Sequence, residues 1–577
     1  MTIICMSVSD KLHEHDLVSP ELEVLKPNNQ NYSCALLQPS GPIYADNMRI
    51  GHFNRPESEL RCKAFLETAS SKNMELVIAP EYCIPWNTLQ EIANGTVFPA
   101  PGRLWVLGCE STTIPELESF KGATTTNCKT IHEVLPDQGN YTDPLAYCFQ
   151  TQDSLGNWHR IILLQFKTTA SRDELFLENE NLKCGSVIYQ FQNQDSPLNL
   201  ASIICSDSFG ITNPPILSKL SDRSILIHIQ LNPKPRQADY RAYRAQIFGQ
   251  DSELTNCDII CLNWAQDIKH YDASGGEPSK WNNIAGSAWY LPKNRCTTLD
   301  QNVLRNHEKG LYYCYMEERR HALFFHYNEA VFQLSVSKPV TAGYGVVANK
   351  QGPLMTVRWL WDDTIKTWQV CNKPADSGLK ESLEADIGVK AALSDFATSA
   401  DALAVERALV LLCGTAKNDE QWFRVDELDS CRIAHDEIVR RVTFAGDNSE
   451  PAALFRHNRL QQASILGNLL TNHTDWPPQV KDIQGARIEW SATDPNYNSY
   501  KNGVDPAVIV YLGEHPPSET VEKTRDKFLH MLKRDGRPYW RRLAVCFRMH
   551  GNLSFAEMSS QTRYDNASED VTDFTVV

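Results

Sequence analysis

The chain has 577 residues, 42% of them hydrophobic and 22% charged, which is the composition of a globular protein too long for one hydrophobic core. A net charge of −15 argues against broad nucleic-acid binding. No apolar run approaches the roughly 18–20 residues of a membrane-spanning helix, the longest candidate (402–414) being broken by Glu406 and Arg407.

The first residues, MTIICMSVSDKLHEHD, lack the basic flank and long apolar stretch of a signal peptide, and residues 1–29 read as a polar tail. Within it HEHD reads as solvated residues rather than a metal-ligand set, so no metal is expected. From residue 30, short apolar segments recur between helical or turn segments. Strands are expected at 33–40, 74–82, 103–110, 144–153, 160–169, 186–192, 200–205, 224–233, 258–265 and 285–292, then at 311–317, 322–327 and 330–336. Helical periodicity marks 56–73 and 240–253. So many strands, several apolar throughout, predict α/β layering: two packed sheets with helices outside. After about residue 339 the texture changes. Long helical patterns at 379–414, 428–444 and 452–471 precede a β–α–β segment (507–514, 518–534, 541–551), predicting a second, helix-rich α/β domain over 339–577. The basic turn KRDGRPYWRR (533–542) reads as a solvated connection. Seventeen cysteines with no CxxC pair imply reduced thiols and a cytoplasmic location.

Three chemically capable residues sit at the ends of separate predicted strands. Glu81 follows LVIAP, Lys167 follows IILLQF and Cys205 follows LASII. Taken singly, each has a bland reading: a packed thiol, a solvated loop carboxylate, a snorkelling lysine. Together they form a device for amide chemistry, because a thiolate attacks a carbonyl carbon, a carboxylate moves the proton and an ammonium opposes the oxyanion.

The spans LVIAPEY, RIILLQFKTTASRDE and LASIICSDSFG resemble, in order, the signature blocks of the nitrilase (carbon–nitrogen hydrolase) superfamily. Supporting blocks are RLWVLGCE, YCFQTQDSLGNWHRIILLQFK, RAYRAQIFGQDSELTNCDIICLNWA and GSAWYLP, so the resemblance covers about residues 30–335. It implies an α-β-β-α sandwich over 30–338 and a hydrolase of non-peptide amide-type bonds that needs no cofactor. Carried over by position, Glu81 is the general base, Lys167 the oxyanion stabiliser and Cys205 the nucleophile. Glu174, seven residues after Lys167, matches a second glutamate, and the Ser206 amide is expected to face the oxyanion. The chain departs from the family in Thr168-Thr169-Ala170, where a Pro-containing turn is common, and in the small Ser206. It also departs in NPKPRQADYRAYR (232–244), whose Lys234, Arg236 and Arg241 could either hold an anionic substrate group or simply solvate the following helix.

No SGGxDS or GxxxxGK[ST] phosphate loop follows residue 340, which speaks against ammonia channelling to a synthetase within this chain. The expected ligand is a small amide-type molecule. The second domain is expected to give homo-oligomer contacts or to dock a partner protein, as in nitrilase-like modules of bacterial antiviral defence assemblies. A pseudo-enzyme that binds without turnover is the remaining reading.

Overall fold

The computed structural model describes residues 3–173, 177–235, 238–249, 257–266, 268–281, 286–292, 300–317, 320–339, 352–372, 402–415, 441–443, 450–489, 497–532 and 541–558. It divides into two compact units, Met1–Thr297 with Glu308–Ala375, and Thr298–His307 with Asp376–Val577.

The first unit is built on two large sheets. Among the described residues, one has nine strands in the spatial order Thr367–Val370, Pro353–Asp362, Ala330–Val336, Tyr32–Gln38, Leu76–Ile84, Leu104–Cys109, Pro144–Gln152, Trp158–Phe166 and Cys128–His132. The other has eight, in the order Ile4–Ser7, Val187–Gln192, Asn199–Ile204, Ser224–Ile229, Cys257–Leu262, Ala288–Pro292, Arg320–Phe325 and Leu311–Glu317. Each sheet has a parallel centre: Tyr32–Gln38, Leu76–Ile84 and Leu104–Cys109 in the first, and Asn199–Ile204, Ser224–Ile229 and Cys257–Leu262 in the second. These strands are apolar on both faces because both faces are covered.

The sheets meet face to face. Phe191 of the second sheet packs against Tyr147 and Phe149 of the first, at ring separations of 4.9 and 5.6 Å. Gln165 is fully buried in this interface yet satisfied, donating to the Ser202 carbonyl (2.8 Å) and accepting from the Tyr189 amide (2.9 Å) and the Tyr147 hydroxyl (3.1 Å). Helices cover the outer faces. Arg55–Ser71 buries Cys62, Phe65, Leu66 and Ala69 in a core shared with Val77, Ala79 and Leu107. Thr113 and Glu116 form a capping box that starts the helix Ile114–Ala123 on the same side. Over the second sheet, the helix Ala238–Gly249 places Tyr243 against His228.

Three expectations shift. The segment before residue 30 is no free tail, because Ile4–Ser7 pairs in parallel with Val187–Gln192 and leads into the helix Val8–His13. The first sheet runs past residue 338, because Pro353–Asp362 pairs antiparallel with Ala330–Val336 and Thr367–Val370 extends it. The strand expected over 74–82 runs from Leu76 to Ile84 through a bulge, with Tyr82 at φ +55° and the register to Leu104–Cys109 broken between Ala79 and Ile84.

In the second unit, the described helices Ala402–Leu412 and Glu450–Asn472 share a core with Val508–Glu514 and Leu543–Met549. Those two strands are parallel neighbours with the helix Ser518–Leu532 between them in the chain, the expected β–α–β unit. The helical pattern at 379–401, nearly all of that at 428–444 and most of the basic turn at 533–542 lie outside the described residues.

Candidate active site

Lys167 and Cys205 directly follow the strands Trp158–Phe166 and Asn199–Ile204, Glu81 lies in the bulged part of the strand Leu76–Ile84, and all three are buried. Lys167 is the hub. Its Nζ lies 2.7 Å from Glu81 Oε1, 2.8 Å from both carboxylate oxygens of Glu178 and 3.5 Å from Asp143 Oδ2. Glu178 also accepts hydrogen bonds from the Tyr82 hydroxyl (2.9 Å) and the Ser171 amide (2.7 Å), while the Leu231 amide donates to Glu81 Oε2.

Three carboxyl groups around one ammonium in a dry interior cannot all be ionised. Burial raises Glu81, against the pull of Lys167, and pushes Asp143 well up with the Glu81 charge adding to it. Burial alone would lower Lys167, but Glu178 and Glu81 hold it well above the ordinary lysine range. The lysine is thereby held in its charged form, while burial favours the protonated form of Glu81 and Asp143.

Cys205 stands in the left-handed region at φ +40°, a backbone that a non-glycine residue adopts only when its surroundings force it. Those surroundings are specific. Its amide donates to the Ile229 carbonyl (2.8 Å), and its carbonyl accepts from His228 Nε2 (2.9 Å). His228 Nδ1 in turn lies 2.7 Å from the Tyr243 hydroxyl. Burial, helped by the Arg244 charge, lowers His228 to about 3, so the ring stays neutral with its proton on Nε2. The Cys205 Sγ is 3.8 Å from the Tyr240 hydroxyl, and Tyr240 packs against Phe209. Burial and the Glu81 charge push the thiol well up, and Lys167 opposes them without prevailing. The resting sulfur is a thiol, so a base must take its proton.

The turn after Cys205 is braced to the turn after Lys167. The buried Asp207 carboxylate accepts from the Thr168 amide (2.7 Å), the Thr168 hydroxyl (2.8 Å), the Thr169 amide (2.9 Å) and the Ile204 amide (3.0 Å). The Ser206 hydroxyl donates to the Thr169 carbonyl at 2.5 Å. Thr168-Thr169, a departure from the family pattern, is thus the partner that Ser206-Asp207 needs.

Glu174 and Arg236 lie outside the described residues. Glu178, four residues after Glu174, is the described glutamate that bonds Lys167. Arg241 belongs to the helix Ala238–Gly249, its side chain outside the described set, and Lys234 is exposed with its amide bonded to Asn232 Oδ1 at 2.8 Å. No motif or spacing in the sequence marks Asp143, Tyr82, Glu178, His228 or Tyr240 as part of the site. Among the described residues Glu81, Asp143 and Glu178 have the donor chemistry of a cation site, and Lys167 already occupies the cation's place among them.

No protein-family model matches the chain, and no curated protein matches it in sequence. The structural neighbours include a glutamine-dependent NAD+ synthetase of Acinetobacter baumannii in complex with ADP, 13% identical at a TM-score of 0.30 over 66% of this chain and 56% of that one. This chain thus spans a little over half the length of that synthetase. A glutamine-dependent NAD+ synthetase of Cytophaga hutchinsonii is 9% identical at a TM-score of 0.26 over 90% of this chain and 65% of its own. A CN-hydrolase superfamily protein of Xanthomonas campestris, with an arsenic adduct in its active site, is 12% identical at a TM-score of 0.28 over 45% of this chain and 82% of its own. The chain has CN-hydrolase and NAD+ synthetase structures among its neighbours, and at such low similarity the weight of a functional reading falls on its own residues.

Proposed function

We propose that the first unit is a carbon–nitrogen hydrolase that cleaves a small, non-peptide amide-type substrate through a thioester on Cys205. The observation that carries this reading is the buried 2.7 Å contact between Glu81, in a strand bulge, and Lys167, together with the strained, buried Cys205. Glu81 takes the Cys205 thiol proton as Sγ bonds to the substrate carbonyl carbon. The oxyanion gathers against Lys167 and the Ser206 amide. The carbon–nitrogen bond then breaks, Glu81 returns the proton to the departing nitrogen, and ammonia or an amine leaves. Water, deprotonated by Glu81, adds to the thioester, and the carbon–sulfur bond breaks to release the acid and restore the thiol. Glu178 holds Lys167 in place and ionised through both cycles.

Ammonia or amine release from amide, carbamoyl and nitrile panels tests the reading. Turnover by the parent that falls ~10³-fold or more in Cys205→Ala and in Glu81→Gln supports it. Turnover that survives either substitution contradicts it, and binding without turnover in the parent would make the unit a binding module. The second unit is an accessory domain on this reading, and co-purification of a partner or self-association would assign its role.

A further inference from the structure

We propose that His52, Cys62 and Cys83 form a binding site for a single thiophilic divalent cation of the zinc class, separate from the Cys205 site. The three come from different elements: the strand Ile50–His52, the helix Arg55–Ser71 and the strand Leu76–Ile84. A ring nitrogen of His52 and the sulfurs of Cys62 and Cys83 all lie within 4.8 Å of one another, and all three residues are buried. That spacing needs only small side-chain movements to reach the Zn–S and Zn–N bond lengths of about 2.3 and 2.1 Å.

The surroundings suit a cation. His52 Nε2 contacts the Cys83 carbonyl at 2.7 Å, and because a carbonyl only accepts, Nε2 carries a proton there, so Nδ1 is the nitrogen that would ligate once the ring is neutral. A backbone carbonyl on one ring nitrogen is the usual arrangement around a metal-binding histidine. Two thiolates and a neutral imidazole balance a divalent charge, so the occupied site would bury no net charge. The adjacent Glu110 adds none, since its carboxylate already holds the His52 amide (2.8 Å) and lies 3.2 Å from Arg55 Nε. A cavity of about 210 Å³, lined by His52, Cys62, Ser58 and Arg61 among others, gives an entry path and room for a small fourth ligand. Binding breaks two S–H bonds, forms two metal–sulfur bonds and releases two protons to solvent, with no change of oxidation state. Because Cys83 lies just past Glu81 on the bulged strand, the cation would fasten that strand end to the helix and strand covering it.

Cobalt(II) is the probe. The full-length chain, reduced and freed of metal by a chelator, is titrated with Co2+ and followed by near-ultraviolet thiolate-to-cobalt absorption and by thermal unfolding. The expected result is saturation at a single equivalent, displacement by Zn2+ and a rise in the unfolding midpoint. The absorption is lost in Cys62→Ser and Cys83→Ser, weakened at least tenfold in affinity in His52→Asn, and retained in Cys205→Ser. Circular dichroism confirms which variants fold, and any one folded member of the three suffices for the comparison. An absent band in the folded parent, or a band that survives both Cys62→Ser and Cys83→Ser, overturns the proposal whatever the fate of the hydrolase reading.

Discussion

The Asp207 carboxylate accepts the amide of Thr168 at 2.7 Å, joining the turn that carries Cys205 to the turn that follows Lys167. With three further hydrogen bonds, from the Thr168 hydroxyl and the amides of Thr169 and Ile204, one side chain sets the distance between the proposed nucleophile and the proposed oxyanion partner. Asp207→Ala leaves those buried donors unpaired and is expected to cost about 2–4 kcal/mol of stability. Activity should fall through kcat more than KM. Urea unfolding and steady-state kinetics on a responsive substrate check both.

Asp207 also gives a pH signature. Burial raises its carboxyl from the ordinary 3.8 to about 6 in the fold, against the hydrogen bonds that favour its charge. A raised pKa means that the fold binds the proton more tightly than the unfolded chain does. Its contribution is therefore fully present below pH 3.8 and is lost as pH rises through about 6. Between those values the parent should lose stability relative to Asp207→Asn as pH rises, and unfolding titrations of the pair would show it. A gap between them that does not change with pH would contradict this assignment.

His228 has the opposite sign. Its imidazole is held neutral, with a folded pKa of about 3 against an ordinary 6.5. The fold refuses a proton that the unfolded chain accepts. The contribution is present above pH 6.5 and lost as pH falls towards 3. His228→Gln should remove this acid sensitivity while costing about 1–2 kcal/mol near neutrality through the weakened support of the Cys205 carbonyl. Unfolding midpoints of parent and variant at neutral and mildly acidic pH decide it.

Gly108 is fixed by the bulge that places Glu81. A Cβ there would stand 2.1 Å from the Pro80 carbonyl oxygen and 2.8 Å from Glu81 Cα, both backbone atoms that cannot swing away. Gly108→Ala is expected to displace the bulge at a cost of about 1–3 kcal/mol and to depress turnover at least ~10-fold. Kinetics alongside thermal unfolding separate the two effects, and a variant equal to the parent in both would show that the bulge does not position Glu81.

Part of the candidate site was legible in the sequence because apolar runs stop abruptly at Glu81, Lys167 and Cys205, and at the last two the buried strand itself ends. The pairing of the two sheets was legible for the same reason. Glu178 was not. Glutamates stand at 174, 178 and 180 in the sequence after the lysine, and no local pattern there singles out Glu178 as a partner of Nζ. The bulge that carries Glu81 leaves no local mark, because its accommodation depends on Gly108, a residue on the neighbouring strand. The hairpin 353–370 looked like the start of a new domain because its pairing with Ala330–Val336 is set by tertiary contact and leaves no local mark. His228 and Tyr240 carry no motif, and their roles come entirely from what they touch.

The central claim is that Cys205 becomes acylated. Intact-mass analysis after brief incubation with the amide and carbamoyl panels, followed by peptide mapping, tests it directly. The account predicts a transient acyl adduct on Cys205 that accumulates on an acid quench, disappears on further incubation and never forms in Cys205→Ala. Turnover with no adduct, or an adduct on one of the other cysteines with Cys205 unmodified, would contradict it.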